Sequence, residues 1–199
     1  MTIEKEDNIF QKVINGPSQG YTDNFPKREM WREIVKLYNG EFKIGSNAGH
    51  VIEYHKIMIP HKDWKINISV SDTRPLKFQA SFVSHQDFDF IISWEDFLEK
   101  IMKKFGKKEI ELGWKEFDNH YMIECNRSDL IKKTFTKEIQ EGILKHNIYS
   151  ISYQTDSESK KSELLSVIQR QGGNKELNIE LIELYKALID NLHKSRIIK

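Results

Sequence analysis

The sequence of 199 residues contains little of what several protein classes require. It has a single cysteine, Cys125, so it can form no internal disulfide and has no cysteine pair for a structural zinc. Its 31 basic and 30 acidic residues leave a net charge of +1, without the overall positive charge typical of nucleic-acid binders and membrane-surface proteins. A partner of either kind would need a local patch of charge.

Long apolar runs are also missing. The longest run is a few residues, such as Phe90 to Ile92, whereas a membrane-spanning helix needs about 20 apolar residues. The first eight residues, MTIEKEDN, mix charges of both signs and lack the apolar stretch of a secretory signal. Together with the single cysteine, these features predict a soluble cytoplasmic protein.

The chain does have enough apolar material for a core. Hydrophobic residues make up 38% of it and aromatic residues 11%, and a chain of this length can bury roughly 70% of its unfolded surface. Residues 1–26 have glycines and prolines among polar residues, which predicts a loosely ordered N-terminal arm. Residues 27–199 are predicted to form a single domain, with Gly106 as the point where two subdomains would separate.

Period-two alternation predicts a sheet. Its clearest instance is Ile66, Ile68 and Val70, which are separated by polar residues. The intervals between the early strands are too short for the helical crossovers of parallel sheets, so we expect an antiparallel meander. Strands are predicted at 41–45, 51–59, 65–71, 78–84, 88–92, 109–114, 120–125, 149–153 and 163–169.

Apolar residues at spacings of three and four predict the helices. They are expected at 27–38, 93–106, 129–133 and 136–145, followed by a final helix with a leucine stripe from Leu177 to Leu192. Ser93 is the predicted cap of the second helix. The predicted fold class is α+β: a curved, mostly antiparallel sheet of about eight or nine strands with helices packed on one side.

The segment from Glu109 to Leu144 resembles a recurring bacterial pattern. The acidic turn Glu116-Phe117-Asp118 and the helix start Phe135-Thr136-Lys137-Glu138 are similar to the "EFD" and "LTPE" elements of bacterial domains of unknown function. Lys137 stands where proline is usual. The resemblance implies an architecture, with Phe117 as a core anchor and Thr136 as a helix cap, and it implies no catalytic residues.

Three groups of histidines and carboxylates have the side chains that bind divalent ions. They are His50, His55 and His61; His85, Asp87 and Asp89; and Asp118, His120 and Glu124. The five-residue spacing within the first group puts its first two members on opposite faces of a strand. In the second group, polar and apolar residues alternate, but the same alternation is found in any strand with one face in solvent. We interpret all three groups as ordinary solvent-facing residues.

Three other features also have structural interpretations. Cys125 is interpreted as a buried, inert thiol, and Gly172-Gly173-Asn174 as a turn with an asparagine cap. The local basic cluster near Trp114 is interpreted as a solvated helix end. Its lysines are Lys103, Lys104, Lys107 and Lys108.

No catalytic, cofactor-binding or metal-binding residue is therefore predicted. The main hypothesis is a non-enzymatic protein-interaction module of bacterial type, whose partner is another protein and neither a nucleic acid nor a membrane. One alternative is a small-molecule binder with an apolar cavity between sheet and helix. A second is a metal-dependent enzyme. The candidate cavity residues are Phe78, Phe82, Phe88, Phe90, Trp94 and Phe97.

Overall fold

The computed structural model of the protein describes residues 24–46, 52–71, 73–94, 108–168 and 174–199. The strands in these segments are β1 (Glu41–Ser46), β2 (Glu53–His61), β3 (Trp64–Ser71), β4 (Arg74–Val83), β5 (Phe90–Ser93), β6 (Lys108–Glu109), β7 (Met122–Cys125), β8 (Ile148–Thr155) and β9 (Lys161–Ile168). The helices are α1 (Phe25–Leu37), α2 (Lys115–Asp118), α3 (Ser128–Thr134), α4 (Lys137–Lys145) and α5 (Lys175–Lys194).

The described strands form one antiparallel sheet, which confirms the predicted α+β fold class. Their order is β1-β2-β3-β4-β9-β8-β5-β7-β6. The predicted meander is therefore wrong beyond β4, because the hairpin of β8 and β9 lies between β4 and β5. This hairpin carries fully buried residues such as Tyr153 and Leu164, which fit the centre of a sheet and not its edge.

Alternation in β2, β3 and β4 gives this part of the sheet two different faces. Ile57, Ile68 and Phe78 lie on one face and are buried, whereas the residues on either side of Ile68 and Phe78 are exposed. We call the buried side the covered face. Helix α5 packs against it, and the Tyr185 hydroxyl donates a hydrogen bond to the Leu164 carbonyl at 2.6 Å. Helix α1 contacts β1 and β2, and α1, α3 and α4 each contact α5.

Strand β5 differs because all four of its residues are buried, the pattern of a strand covered on both sides. Ser93 is its last residue and lies opposite Met122 and Ser150. The helix that Ser93 is predicted to cap lies, apart from Ser93 and Trp94, outside the described residues together with Gly106, so this prediction stays a prediction.

Several element ends also differ from the predictions. Phe25 and Pro26, assigned to the N-terminal arm, begin α1, where a proline suits the first turn. Residues 1–23 of the arm lie outside the described residues. The Glu116-Phe117-Asp118 segment forms α2 instead of a turn, and Phe117 is fully buried as expected. Thr136 occupies the N-cap position of α4 but makes no side-chain capping hydrogen bond.

Across the described segments, no helix is both long and apolar enough to cross a lipid bilayer.

Candidate binding surface on the open sheet face

The second face of β1 to β4 has mostly exposed side chains, and we call it the open face. Lysines from three of its four strands occupy one transverse row. Lys43 in β1 is directly opposite Lys56 in β2, Lys56 is opposite Ser69 in β3, and Ser69 is opposite Lys77 in β4. Neighbouring strands lie about 4.8 Å apart, so this lysine row crosses the open face within roughly 15 Å.

The open face contains two depressions, which share Lys56 and Ser69. The β1–β4 depression has a volume of about 410 Å³ and includes Glu41, Lys43 and Gln79. The β2–β4 pocket, near the β3–β4 turn, has a volume of about 290 Å³. Its polar lining residues are Tyr54, Lys56, Ser69, Ser71, Arg74 and Lys77.

Cations outnumber carboxylates on this surface. Lysines 43, 56, 65 and 77 belong to it together with Arg74. The carboxylates are that of Glu41, which is 3.1 Å from the Lys43 Nζ, and that of Glu163 on the neighbouring β9, which accepts a hydrogen bond from Gln79 at 2.6 Å. Lys56 Nζ lies 5.3 Å from the centre of the Tyr54 ring, a cation–π contact. Like charges directly opposite each other on paired strands destabilise a sheet. The Lys43–Lys56 pair therefore does not serve the stability of the fold.

Charges on the covered face are arranged differently. The Glu53 carboxylate accepts hydrogen bonds from Arg28 on α1, with the Arg28 Nε to Glu53 Oε1 distance at 2.9 Å. It also contacts the His55 ring at 2.5 Å, and that ring packs edge-on against Phe42. Burial raises the pKa of Glu53, but the hydrogen bonds from His55 and Arg28 outweigh burial and lower it to about 2.

The first histidine group thus splits into separate contacts. His55 is buried and not solvent-facing, with its ring against the Glu53 carboxylate and Phe42. His61 contacts Asp190 on α5 at 2.7 Å, and Lys62 donates to the same oxygen at 2.7 Å. Burial raises the pKa of Asp190, and these two hydrogen bonds lower it further than burial raises it. His50 lies outside the described residues.

The second group lies in a loop before β5, and not on a strand. The Asp89 carboxylate accepts a hydrogen bond from the Thr155 backbone N–H at 2.7 Å, and its own N–H donates to Asn126 at 2.9 Å. The His85 N–H donates to the Ile197 carbonyl at 2.8 Å. These contacts fasten the loop to β8 and to the C-terminal residues, so the predicted single strand face does not exist.

The third group is also dispersed. Asp118 accepts hydrogen bonds from the backbone N–H groups of Leu112 and Gly113 at 2.9 and 2.8 Å. The His120 ring packs against Trp94, with the centres 5.7 Å apart. Glu124 is buried on β7 and not solvent-facing. Among the residues that the structure describes, no group of three or more histidines, cysteines or carboxylates is placed to hold a metal ion.

The remaining sequence features have structural positions. Cys125 is buried on β7, and the Asn174 side chain caps α5 by accepting a hydrogen bond from the Leu177 N–H at 2.9 Å. Lys108 belongs to β6, whereas Lys103, Lys104, Lys107, Gly172 and Gly173 lie outside the described residues. The Trp114 ring is contacted by Lys137 of α4 at 5.6 Å.

The apolar cavity expected for a small-molecule binder is not found in the described part of the core. A gap between the sheet and helices α4 and α5 has a volume of about 10 Å³, far below the roughly 300 Å³ of a ligand pocket. Aromatic side chains fill the space instead: Phe90 packs against Phe135 and Tyr153 with ring centres 5.0 and 5.9 Å apart. Phe78, Phe82 and Phe88 are likewise buried.

Fold and surface together define an α+β protein with one open antiparallel sheet. No family model and no curated protein matches the chain. A solved structure, the mycobacterial trehalose monomycolate transport factor A (TtfA), is similar with a TM-score of 0.51 and 6% sequence identity, over 85% of this chain and 97% of that chain. At this identity the similarity shows a shared fold and assigns no residue a role.

Sequence reasoning missed the lysine row. Its members are 13 and 21 residues apart along the chain, and only the strand register brings them together. The sequence did indicate that each lysine faces solvent, because each is next to an apolar residue of its strand.

Proposed function

We propose that this protein is a non-enzymatic protein-interaction module that binds an acidic segment of another protein on its open face. The observation that carries the proposal is the lysine row. Its exposed cations lie across a mostly polar sheet face, in a chain whose total charge is close to zero. Charge complementarity therefore selects an anionic partner.

The shape and composition of the open face favour a polypeptide among anionic partners. A flat membrane surface would not follow the two depressions. Single-stranded nucleic acids bind proteins largely by stacking bases on aromatic rings. Among the described residues of the open face the aromatic ring is that of Tyr54, which already contacts Lys56. An extended acidic segment needs only cations at strand spacing and polar side chains between them.

The proposal is tested by fluorescence anisotropy with a labelled peptide of ten glutamates at low salt. We expect saturable binding that weakens as salt rises, since exposed charge pairs are screened. The double variant Lys43→Gln/Lys56→Gln should bind about tenfold more weakly, which corresponds to about 1.4 kcal/mol. The matched control is Lys132→Gln/Lys133→Gln, which removes two exposed lysines of α3 and should retain binding.

Three outcomes would overturn the proposal. The first is the absence of binding at low salt, and the second is an equal loss in both double variants, which would indicate a nonspecific charge effect. The third is a clear preference for a labelled single-stranded oligonucleotide or for phosphatidylserine vesicles over the glutamate peptide, because the partner would then belong to another class of molecule.

A further inference from the structure

The β2–β4 pocket differs in charge from the depression beside it. Its ionisable lining residues are Lys56, Arg74, Lys77 and Tyr54, and its lining includes no carboxylate. The neighbouring β1–β4 depression contains Glu41. Lys56, Arg74 and Lys77 take part in none of the ion pairs formed between described residues. Asp72 lies outside the described residues. The pocket thus concentrates three cations without a described counter-charge.

The positions of these cations suit one small anion. Lys56 and Lys77 flank Ser69 in register, so their Cα atoms are about 10 Å apart, and both long side chains can reach the space above Ser69. Arg74 is opposite Ser71 at the end of the β3–β4 pairing. Its planar guanidinium can donate two parallel hydrogen bonds to two oxygens of one anion.

The number of donors indicates which anion. Three cations and the hydroxyl groups of Ser69, Ser71 and Tyr54 surround a volume of about 290 Å³. A carboxylate has one negative charge and two oxygens, so it would leave much of this set unused. A phosphomonoester carries a charge of about −2 at neutral pH and has three terminal oxygens arranged tetrahedrally. It matches both the charge and the number of donors.

We propose that the β2–β4 pocket binds the phosphate group of a phosphorylated serine or threonine within the acidic segment that docks on the open face. This inference rests on the proposed function. The pocket and the β1–β4 depression are joined at Lys56 and Ser69, so a segment with its phosphate in the pocket extends directly onto the rest of the lysine row. The chemical class of the partner is therefore a phosphorylated acidic polypeptide.

The test compares three labelled nonapeptides by fluorescence anisotropy. Each has four glutamates on either side of a central residue, which is phosphoserine, glutamate or serine. We expect the wild type to bind the phosphoserine peptide at least tenfold more tightly than the glutamate peptide. Arg74→Gln, in the pocket but not in the lysine row, should remove most of this preference and leave binding of the glutamate peptide within about threefold of wild type, since a single rim cation contributes modestly. Lys77→Gln should also remove most of the preference, but it should weaken the glutamate peptide as well, because Lys77 belongs to the row.

Lys43→Gln is the matched control, because Lys43 belongs to the row but not to the pocket. This variant should weaken both peptides and retain the preference for phosphoserine. All three substituted side chains are exposed, so the thermal unfolding midpoints of the variants should stay close to that of the wild type and confirm folding.

The outcomes separate this inference from the proposed function. Equal affinity for the three peptides would overturn the phosphate site and leave the acidic docking surface standing. Failure of every peptide to bind would overturn both. Inorganic phosphate that binds alone as tightly as the phosphoserine peptide would show a site for the free anion and overturn the docked-segment assignment. A preference unaffected by Arg74→Gln and Lys77→Gln would place phosphate recognition elsewhere.

Discussion

Strand β2 has ionisable residues on both faces. Those on the covered face are enclosed by the fold, whereas the one on the open face is exposed to solvent. On the covered face, Glu53 and His55 are enclosed and joined to Arg28 of α1. On the open face, Lys56 is exposed and lies opposite another lysine, Lys43. Charges on the first face are neutralised by partners within the fold. Charges on the second are left for a partner outside it, at some expense of sheet stability.

The two faces should differ most in how strongly a substitution lowers the free energy of unfolding, and two consecutive residues of β4 test this. Phe78 is 1% exposed on the covered face, and Gln79 is exposed on the open face, with a hydrogen bond to Glu163 at 2.6 Å. Phe78→Ala should lower the free energy of unfolding by about 3 to 5 kcal/mol, because it leaves a cavity. Gln79→Ala should change it by less than about 0.5 kcal/mol. Urea denaturation of both variants measures these effects, and similar values for the two would contradict the assignment of faces.

A smaller effect is expected from pH through Glu53. Its pKa is about 2 in the fold, against its ordinary value of 4.5 in the unfolded chain. Because the folded pKa is depressed, its stabilising contribution is complete above about pH 5.5 and is lost as pH falls from 4.5 towards 2. Between pH 6 and pH 3 this loss should be about 1 to 2 kcal/mol, since solvent reaches part of the cluster and screens it.

The variant Glu53→Gln isolates this contribution from the other carboxylates. It should be less stable than the wild type at pH 6, because Arg28 loses its partly buried counter-charge and His55 loses the carboxylate that it contacts. The stability difference between wild type and variant should shrink at pH 3. A difference that stayed constant between the two pH values would show that Glu53 keeps the same protonation in the folded and unfolded states.

The smallest effect is on the open face and has the opposite sign. Lys56→Glu places a carboxylate opposite Lys43 and should raise the free energy of unfolding by about 0.2 to 1 kcal/mol at low salt. The loss of the contact between Lys56 and Tyr54 reduces this gain. Lys65→Glu is the control, because Lys65 lies opposite the uncharged Pro60, and it should be nearly neutral. A marked destabilisation by Lys56→Glu, measured by chemical denaturation, would mean that the lysine row supports the fold.

Local patterns predicted the elements and their faces well. The alternation of Ile66, Ile68 and Val70 identified the buried side of β3, and the leucine stripe identified α5. Both patterns depend only on neighbouring residues along the chain. The place of β8 and β9 in the sheet depends on which strand edges meet, and no period in the sequence contains that information.

The candidate site was less predictable for the same reason. His55 has the residue type of a metal ligand, but it is buried, and the Glu53 carboxylate that it contacts is bound by Arg28, 27 residues before His55 in the chain and on α1. The β2–β4 pocket combines residues from three strands, so it exists only once their register is known. The overall charge of +1 also concealed it, since acidic residues elsewhere balance the lysines of the open face.

The central position of β8 and β9 has a consequence for biosynthesis. A ribosome releases β1 to β4 and later β5 to β7 before the hairpin that joins them exists. Until residue 168 has left the exit tunnel, the edge of β4 that will receive β9 has unpaired N–H and C=O groups and is open to wrong pairing. We expect the nascent chain to be most prone to aggregation in this interval, before β9 pairs with β4.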